Sequence, residues 1–529
     1  MRRTLTRYIP TAASRPLAEL LLPLLWLAMG ALPARAQAGA TTPDPCTSGH
    51  DFATTDCALT WHGITVYGAY DVGLGWVSHG LPENGYNYEG ESLVNRNGYQ
   101  HRFLVAPNNL SQTGFGVRGK EQFAPGWSVV FNASTGINPQ SGLLANASRT
   151  DIINNGLPRS SYSIAIDGAR AGQPFNDEYY AGVSSTQFGT LTFGRQRALG
   201  TDAMLQYDPA GGAYAFSYIG YNGTMAGGGD TEDSRWDTAL KYRIAHGPVH
   251  FGAMYKFADG SGGCYAAAAA SGASWTPTSC TAESAHNNAF GFDLGGKYNK
   301  FSADIVYQHY NQAISVLNPL LGPQSLSPAG QYQSTTDSID TTPISGGVNL
   351  IDPNDTVYGI VTDNNAVMFA TKYATDTFKI FAGYEYITQN NPNNPLGVGA
   401  PDQGGYIMSW VEDNNLDSEK LVNIWWTGAK YTYRKQTDFT FSWYQQRQND
   451  FRYPPTACAP GNMRASCAGT LNEGSLYVDH HFTTRFDAFA GIAYSWVSGG
   501  LAIAIPHGPG VPYNYDNNFA PTIGGRFTF

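Results

Sequence analysis

One pattern limits this chain more than any other: segments of about ten residues in which apolar and polar side chains alternate, returning along nearly its whole length. In residues 60–76, Ile64, Val66, Gly68, Tyr70, Val72 and Leu74 share one face, while Thr65, Tyr67, Ala69 and Asp71 share the other. Residues 111–121 set Phe115 and Val117 against Arg118 and Lys120, and residues 234–243 set Trp236, Leu240 and Tyr242 against Arg235, Asp237, Lys241 and Arg243. A strand with this rhythm meets two different environments. The polar faces carry several charges each, which a closed core could not bury cheaply; a water-filled lumen accommodates them.

The connections sort into two alternating classes. Short ones fall near 122–126, 185–188, 244–248, 299–300, 375–377, 434–437 and 482–485, with Pro125-Gly126 and Gly247-Pro248 as turn markers. Long ones, rich in Asn, Gly, Pro and Ser, fall near 77–110, 138–175, 197–233, 258–287, 311–364, 388–420, 448–473 and 498–517. Together they separate sixteen strands. The predicted fold is all-β: a sixteen-stranded antiparallel transmembrane β-barrel with short periplasmic turns and long extracellular loops, as bacterial barrels are built. In the last segment Phe519, Ile523, Phe527 and Phe529 share one face, against Thr522, Arg526 and Thr528.

Composition agrees. Only 14% of residues are charged while 13% are aromatic, too few charges for an ordinary water-facing surface. Residues 1–36 read as a signal peptide: Arg2, Arg3 and Arg7, then an apolar stretch over 20–32, then Ala34-Arg35-Ala36 as a cleavage site. Pro23 and Pro33 interrupt that stretch, which is too short for a bilayer span. Residues 37–59 are assigned to an N-terminal periplasmic segment and 60–529 to the barrel. Past residue 36 no apolar run exceeds seven residues (Cys264–Ala270), which argues against helical spans. Taking away five arginines and Glu19 with the leader leaves 26 basic and 40 acidic residues, a net charge of −14 that argues against nucleic acid as a partner. Cys46/Cys57, Cys264/Cys280 and Cys458/Cys467 are near neighbours; six cysteines allow 15 connectivities, and an exported chain favours three local disulfides over a metal site.

With these residues in hand, the chain resembles the general Gram-negative porins, a sixteen-stranded trimeric family. Ile64 to Asp71 is similar to that family's first strand, Gly116 to Glu121 to its second, and Phe188-Gly189-Thr190-Leu191-Thr192-Phe193-Gly194-Arg195-Gln196 to the strand that leads into an inward-folded third loop. Arg235 to Tyr242, Phe381 to Glu385, Ala488 to Ser495 and the terminal Phe529 follow the same pattern. The resemblance implies a passive aqueous channel in the outer membrane of a Gram-negative bacterium, with lipid and lipopolysaccharide around it, a homotrimeric assembly, small polar solutes as cargo, and neither cofactor nor catalytic residue. It also implies that residues 197–233 bend inward, offering Asp202 and Asp208 to a constriction opposite Arg118, Lys120 and Arg235, with Tyr67, Asp71, Asp237 and Lys241 lining the bore. Arg195 is ambiguous by parity, since it alternates with Leu191 and Phe193. At Gly114 and Asp177 the family often carries arginine, so its anion preference does not transfer. The net charge and the thinned basic wall lean toward cation preference or little preference.

Other functions fit less well. Gly114 to Glu121 nearly spells a phosphate-binding loop, but Glu121 stands where a Ser or Thr hydroxyl is needed. A barrel hydrolase lacks its usual elbow and zinc motifs, and His480-His481 sits at a strand end. A soluble adhesin would not expose Trp127, Phe131, Trp236, Tyr255, Phe292, Tyr307, Tyr384 and Trp443 on one side of its strands. A sugar- or carboxylate-selective porin is the nearest rival, because Tyr207, Tyr214, Phe216 and Tyr218 lie in the inward loop.

Overall fold

The computed structural model describes residues 44–80, 100–137, 174–222, 235–257, 288–311, 314–319, 356–361, 363–390, 418–451, 467–500 and 516–529, with positions 139, 142, 144 and 458. The leader, Cys264, Cys280 and most of the long connections lie outside them. The described strands are β1 (Leu59–Trp61), β2 (Ile64–Gly80), β3 (Gln100–Pro107), β4 (Gly114–Ala124), β5 (Trp127–Gly136), β6 (Tyr179–Ser185) and β7 (Gly189–Arg197). They continue with β8 (Arg235–His246), β9 (Val249–Lys256), β10 (Ala289–Tyr298), β11 (Phe301–Tyr310), β12 (Ile314–Pro319), β13 (Thr356–Val361) and β14 (Asp363–Ala374). The last are β15 (Phe378–Asn390), β16 (Lys420–Tyr433), β17 (Thr437–Gln448), β18 (Gly469–His481), β19 (Phe486–Gly499) and β20 (Asn517–Thr528).

All but β12 and β13 form one antiparallel sheet of 18 strands that closes where β20 pairs β2, from Ala69 opposite Thr528 to Gly75 opposite Thr522. β1 is a three-residue addition to β2. β3 and β4 are two halves of one wall strand, since β2 pairs β4 over Ile64–Ala69 and β3 over Val72–Val77. The wall is therefore a closed ring of sixteen strands, as the alternation predicted.

Each expected short turn joins neighbouring strands at its expected place. Tight antiparallel turns need positive φ, which Gly126 (φ 75°) and Gly247 (φ 58°) adopt freely and Asn299 (φ 52°) tolerates. The long connections differ from expectation in two places. β2 and β3 extend into the span expected as a loop over 77–110, and the span 311–364 carries the β12–β13 ribbon.

Burial follows strand parity. On β2, Ile64, Val66, Tyr70 and Leu74 are exposed on the outside of the ring, while Thr65 and Asp71 are buried within. Exposed aromatics flank the short turns, including Phe123, Trp127, Phe188, Tyr298, Phe301, Phe378, Tyr433, Phe482 and Phe486. Such a girdle marks a membrane interface, where an aromatic ring touches both hydrocarbon and water. Trp236 is the exception to the predicted outer set and is fully buried. The β7–β8 register shifts between Gly194 and Gln196, and Thr238 takes φ 49°. That bulge interrupts the alternation and turns Trp236 off the lipid face.

Two of the three expected disulfides, Cys46–Cys57 and Cys458–Cys467, are formed. The first closes a segment containing helix α1 (Gly49–Thr54), capped by Ser48, whose hydroxyl accepts the Asp51 N–H at 3.1 Å. This segment docks on the β18–β19 turn. The Arg485 guanidinium lies 4.1 Å from the Phe52 ring centroid and donates to the Cys57 carbonyl at 2.6 Å.

Candidate functional site: the lumen and its inward segment

After β7 the chain turns into the ring as helix α2 (Leu199–Tyr207), continues through 208–217 and forms the short helix α3 (Tyr218–Asn222). It is fastened along its length to the inner wall from β8 round to β18. Asp202 accepts Lys241 Nζ at 2.5 Å and pairs with Arg243. The Gln206 carbonyl accepts Lys372 Nζ at 3.0 Å. Tyr207 donates its hydroxyl to Asp304 at 2.8 Å, and its carbonyl accepts Trp426 Nε1 at 3.1 Å. Phe216 stacks on Tyr477 with centroids 4.4 Å apart, its carbonyl accepting Ser475 Oγ at 2.6 Å. Ala210, Ala213, Ala215 and Phe216 join Val77, Ala106, Leu110, Tyr477, Phe489 and Ala520 in an apolar cluster inside the ring.

The far end of this segment meets a break in the wall. Residues 108–113, between β3 and β4, leave the sheet, and the Asp71 carboxylate collects the N–H groups of Asn109 (3.0 Å), Leu110 (2.7 Å) and Ser111 (3.0 Å). The Asn109 carbonyl then accepts the Ala215 N–H at 3.0 Å. The inward segment is thus a strut tied at both ends.

The expected site residues are placed as follows. Arg118 and Lys120 are on the lumen side of β4 and exposed, with Arg118 5.1 Å from the centroid of the Tyr67 ring. Tyr67 is part-buried on the same wall and donates to Asn132 Oδ1 at 2.7 Å. Arg235 is held by Asp177, with Nε 2.7 Å from Oδ1. Asp237 is held by Arg195 Nη1 at 2.6 Å. Lys241 is nearly buried on Asp202 and the Arg197 carbonyl.

Two acids depart from expectation. Asp208 is 2% exposed, accepting the Tyr444 hydroxyl at 2.5 Å and the Gly212 N–H at 2.6 Å. Asp71 is 0% exposed and spent on backbone amides. Strand parity and loop position put both on the inner side of the ring, but the inward segment and the 108–113 turn cover them. Burial pushes the Asp208 carboxyl above its ordinary value. Burial alone would also raise Asp202, but Lys241 and Arg243 outweigh it and hold that carboxyl low.

Other residues of this region were not expected as site residues, although Asp177 and Gly114 stand out in the sequence where the family often carries arginine. Asp177 takes Arg197 at 3.5 Å as well as Arg235, so an acid at this position neutralises two bases of the wall. Glu178 accepts Asn132 Nδ2 at 3.0 Å. Gly114 faces Gly136 across β4–β5, and a Cβ there would strike the Thr135 carbonyl. Parity already puts Arg243 on the polar face of its strand; nothing local signals Arg197, because the bulge at Gly194 breaks the alternation before it. The same bulge resolves Arg195, which is buried and points its Nη2 to the Asn176 carbonyl at 3.0 Å. Of the aromatics expected to offer a stacking surface, Tyr207, Phe216 and Tyr218 are fully buried against the wall, and Tyr214 alone among the four is part-exposed.

A ring with an apolar outside, a charged inside and a strut across its bore defines a channel-forming outer-membrane barrel. Residues 24–500 match the Gram-negative porin family, and the chain belongs to it. It is 24% identical over 196 residues to an outer membrane porin protein of Bordetella pertussis, a match covering 37% of this chain and 42% of that relative's length. Its fold is similar to that of the anion-selective porin from Comamonas acidovorans, at a TM-score of 0.51 and 11% identity, covering 88% of this chain and 99% of that one.

Proposed function

We propose that this protein is a general diffusion channel of the outer membrane, passing small hydrophilic solutes and ions passively and without catalysis. The observation that carries this reading is that Arg118 and Lys120, inside a ring whose outer face is apolar, remain exposed while the opposite inner wall is covered. Residues 197–222 set the narrow zone, with Arg118, Lys120, Arg197, Arg243 and Glu178 as the charges a solute meets. The buried faces of Tyr207, Phe216 and Tyr218 speak against an aromatic track for a single sugar, and so favour the general channel over a substrate-selective one. On the outer wall His480 is engaged by Thr437, Nδ1 to Oγ1 at 2.8 Å, an arrangement that supports an interfacial role over a hydrolytic one.

Ion preference follows local charge, not the −14 of the whole mature chain. Among the described charges around the strut that keep some exposure to the bore, Arg118, Lys120, Arg197, Arg235, Arg243 and Lys372 outnumber Asp177, Glu178, Asp202 and Asp237, the acids Asp208, Asp293, Asp304 and Glu473 being buried. This balance favours a modest anion preference and revises the cation leaning drawn from bulk charge. Residues 1–36 act as the exported leader, 37–59 as the periplasmic segment, and the exposed girdle as the contact with lipid and lipopolysaccharide. We infer homotrimeric assembly from the family.

Planar-bilayer recording of purified protein tests the reading. Ohmic steps closing in threes, with a reversal potential under a salt gradient of anion-selective sign, are expected. Absence of conductance, or saturable block by one sugar or carboxylate, overturns it. Cross-linking to a trimer in detergent checks assembly separately.

A further inference from the structure

A second group of lumen residues lies on β9, β10 and β11, below Tyr207 of the inward helix. The register places His250 opposite Gly295, and Gly295 opposite Asp304, so that the three share one row across the wall. Asp293 stands two residues along β10 on the same face. Gly295 has no side chain, and a Cβ built there would collide with both Asp304 Oδ1 and the His250 ring. The space left by this glycine is where the imidazole and carboxylates converge. His250 Nε2 lies 3.3 Å from Asp304 Oδ1 and 3.7 Å from Asp293 Oδ2.

Two features set this group apart from a solvated acidic patch. Asp293 and Asp304 are each 4% exposed at the side chain, and two buried carboxylates side by side are stabilised by a cation between them or by a proton held on one of them. Asp293 Oδ1 is buried with no hydrogen-bond partner. The nearest guanidinium, Arg243, stands 3.7 Å from Asp293 Oδ2 while also pairing with Asp202, so its charge is shared. The comparable group Asp479, His481 and Asp487 differs, because Arg526 already reaches both of its acids.

We propose that His250, Asp293 and Asp304 form a binding site for a divalent transition metal of the zinc class, set in the channel wall beneath the constriction. One imidazole nitrogen with two carboxylate oxygens suits zinc, cobalt or nickel better than calcium or magnesium, which take oxygen alone. Tetrahedral zinc with bonds near 2.0–2.1 Å separates its donor atoms by about 3.4 Å; the two nitrogen–oxygen spacings here bracket that length, and all three donor atoms lie within 4.8 Å of one another. The fourth position is left to water. Asp304 also receives the Tyr207 hydroxyl, so an ion at this site would tie the inward helix to the wall.

The test uses purified, folded protein and does not depend on the channel reading. Equilibrium dialysis with zinc should show one ion per chain at micromolar concentration, undisturbed by excess magnesium. Cobalt should give the intense visible bands of a tetrahedral ion with mixed nitrogen and oxygen donors. Asp293→Asn and His250→Gln should each weaken binding about tenfold or more, at least the loss that follows from disturbing a supporting residue. Arg243→Gln should tighten it by removing a competing charge. Folding of each variant is checked by its heat-modifiable gel mobility. X-ray absorption on the wild-type complex supplies a readout that needs no variant. No stoichiometric zinc, a six-coordinate all-oxygen ion, or binding equal in folded Asp293→Asn and wild type overturns the proposal.

Discussion

The two halves of the inner wall carry the same alternation and end in opposite environments. From β9 to β19 the lumen face lies largely under the inward segment, and Trp426, Tyr444 and Tyr477 are as buried as in any soluble core. In the β2–β8 half the face of β4 stays open, with Arg118 and Lys120 exposed, although Val77, Ala106 and Lys241 are covered by the inward segment. Parity separates inside from outside, but a third element decides which part of the inside is wet. Charges on the open half act on solutes, whereas those on the covered half, such as Asp208, act on the strut.

Reversing the open half should have the largest effect. In Arg118→Glu/Lys120→Glu the reversal potential should change sign to cation-selective, because exposed charges in a narrow aqueous bore dominate its field; an unchanged sign would place the selective zone elsewhere. Next comes the covered half. Phe216→Ala removes a fully buried stacked ring, a loss of about 3–5 kcal/mol at a core site. Because that energy holds the strut and not the ring, single-channel conductance should rise while thermal unfolding of the β-sheet by circular dichroism barely moves. A matching drop in unfolding temperature would show that strut and wall are one cooperative unit.

Tyr444→Phe should do less. It withdraws one hydroxyl from buried Asp208, at about 1–3 kcal/mol for a buried group left short of a partner, and should raise open-channel noise with little change in mean current. The smallest effect belongs to Asp202. Its carboxyl is held below the ordinary carboxylate range, so its ion pairs are intact above that range and are lost as pH falls through the lowered value. Anion preference should therefore stay level from neutral pH down to about pH 4 and rise only below it. Asp202→Asn should show the raised preference already at neutral pH, and a pH profile identical to wild type would dismiss the clamp.

Much of the wall was legible because a strand between lipid and water must alternate. The short turns were legible because Gly126, Gly247 and Asn299 provide the left-handed backbone they need. What failed did so for non-local reasons. Trp236 was misassigned because the bulge near Thr238 depends on how β7 pairs β8. The split of β3 from β4 depends on Asp71 meeting backbone amides 38 to 40 residues away. At the constriction, sequence put Arg118 and Asp202 in the lumen region but could not tell that Asp208 would be covered, since its partner Tyr444 lies 236 residues along.

Arg485 meets Phe52 and Cys57 across 433 and 428 residues of chain, and Phe52 also lies edge-on to Phe527, 6.3 Å between centroids. None of these contacts exists until the final hairpins have joined the first strand. The amino-terminal knot is therefore a latch that can drop only on a completed cylinder, and its free energy opposes reopening of the seam without aiding any earlier step. An assembly intermediate lacking β19 and β20 would leave residues 44–57 open to protease, and the finished protein would shield them.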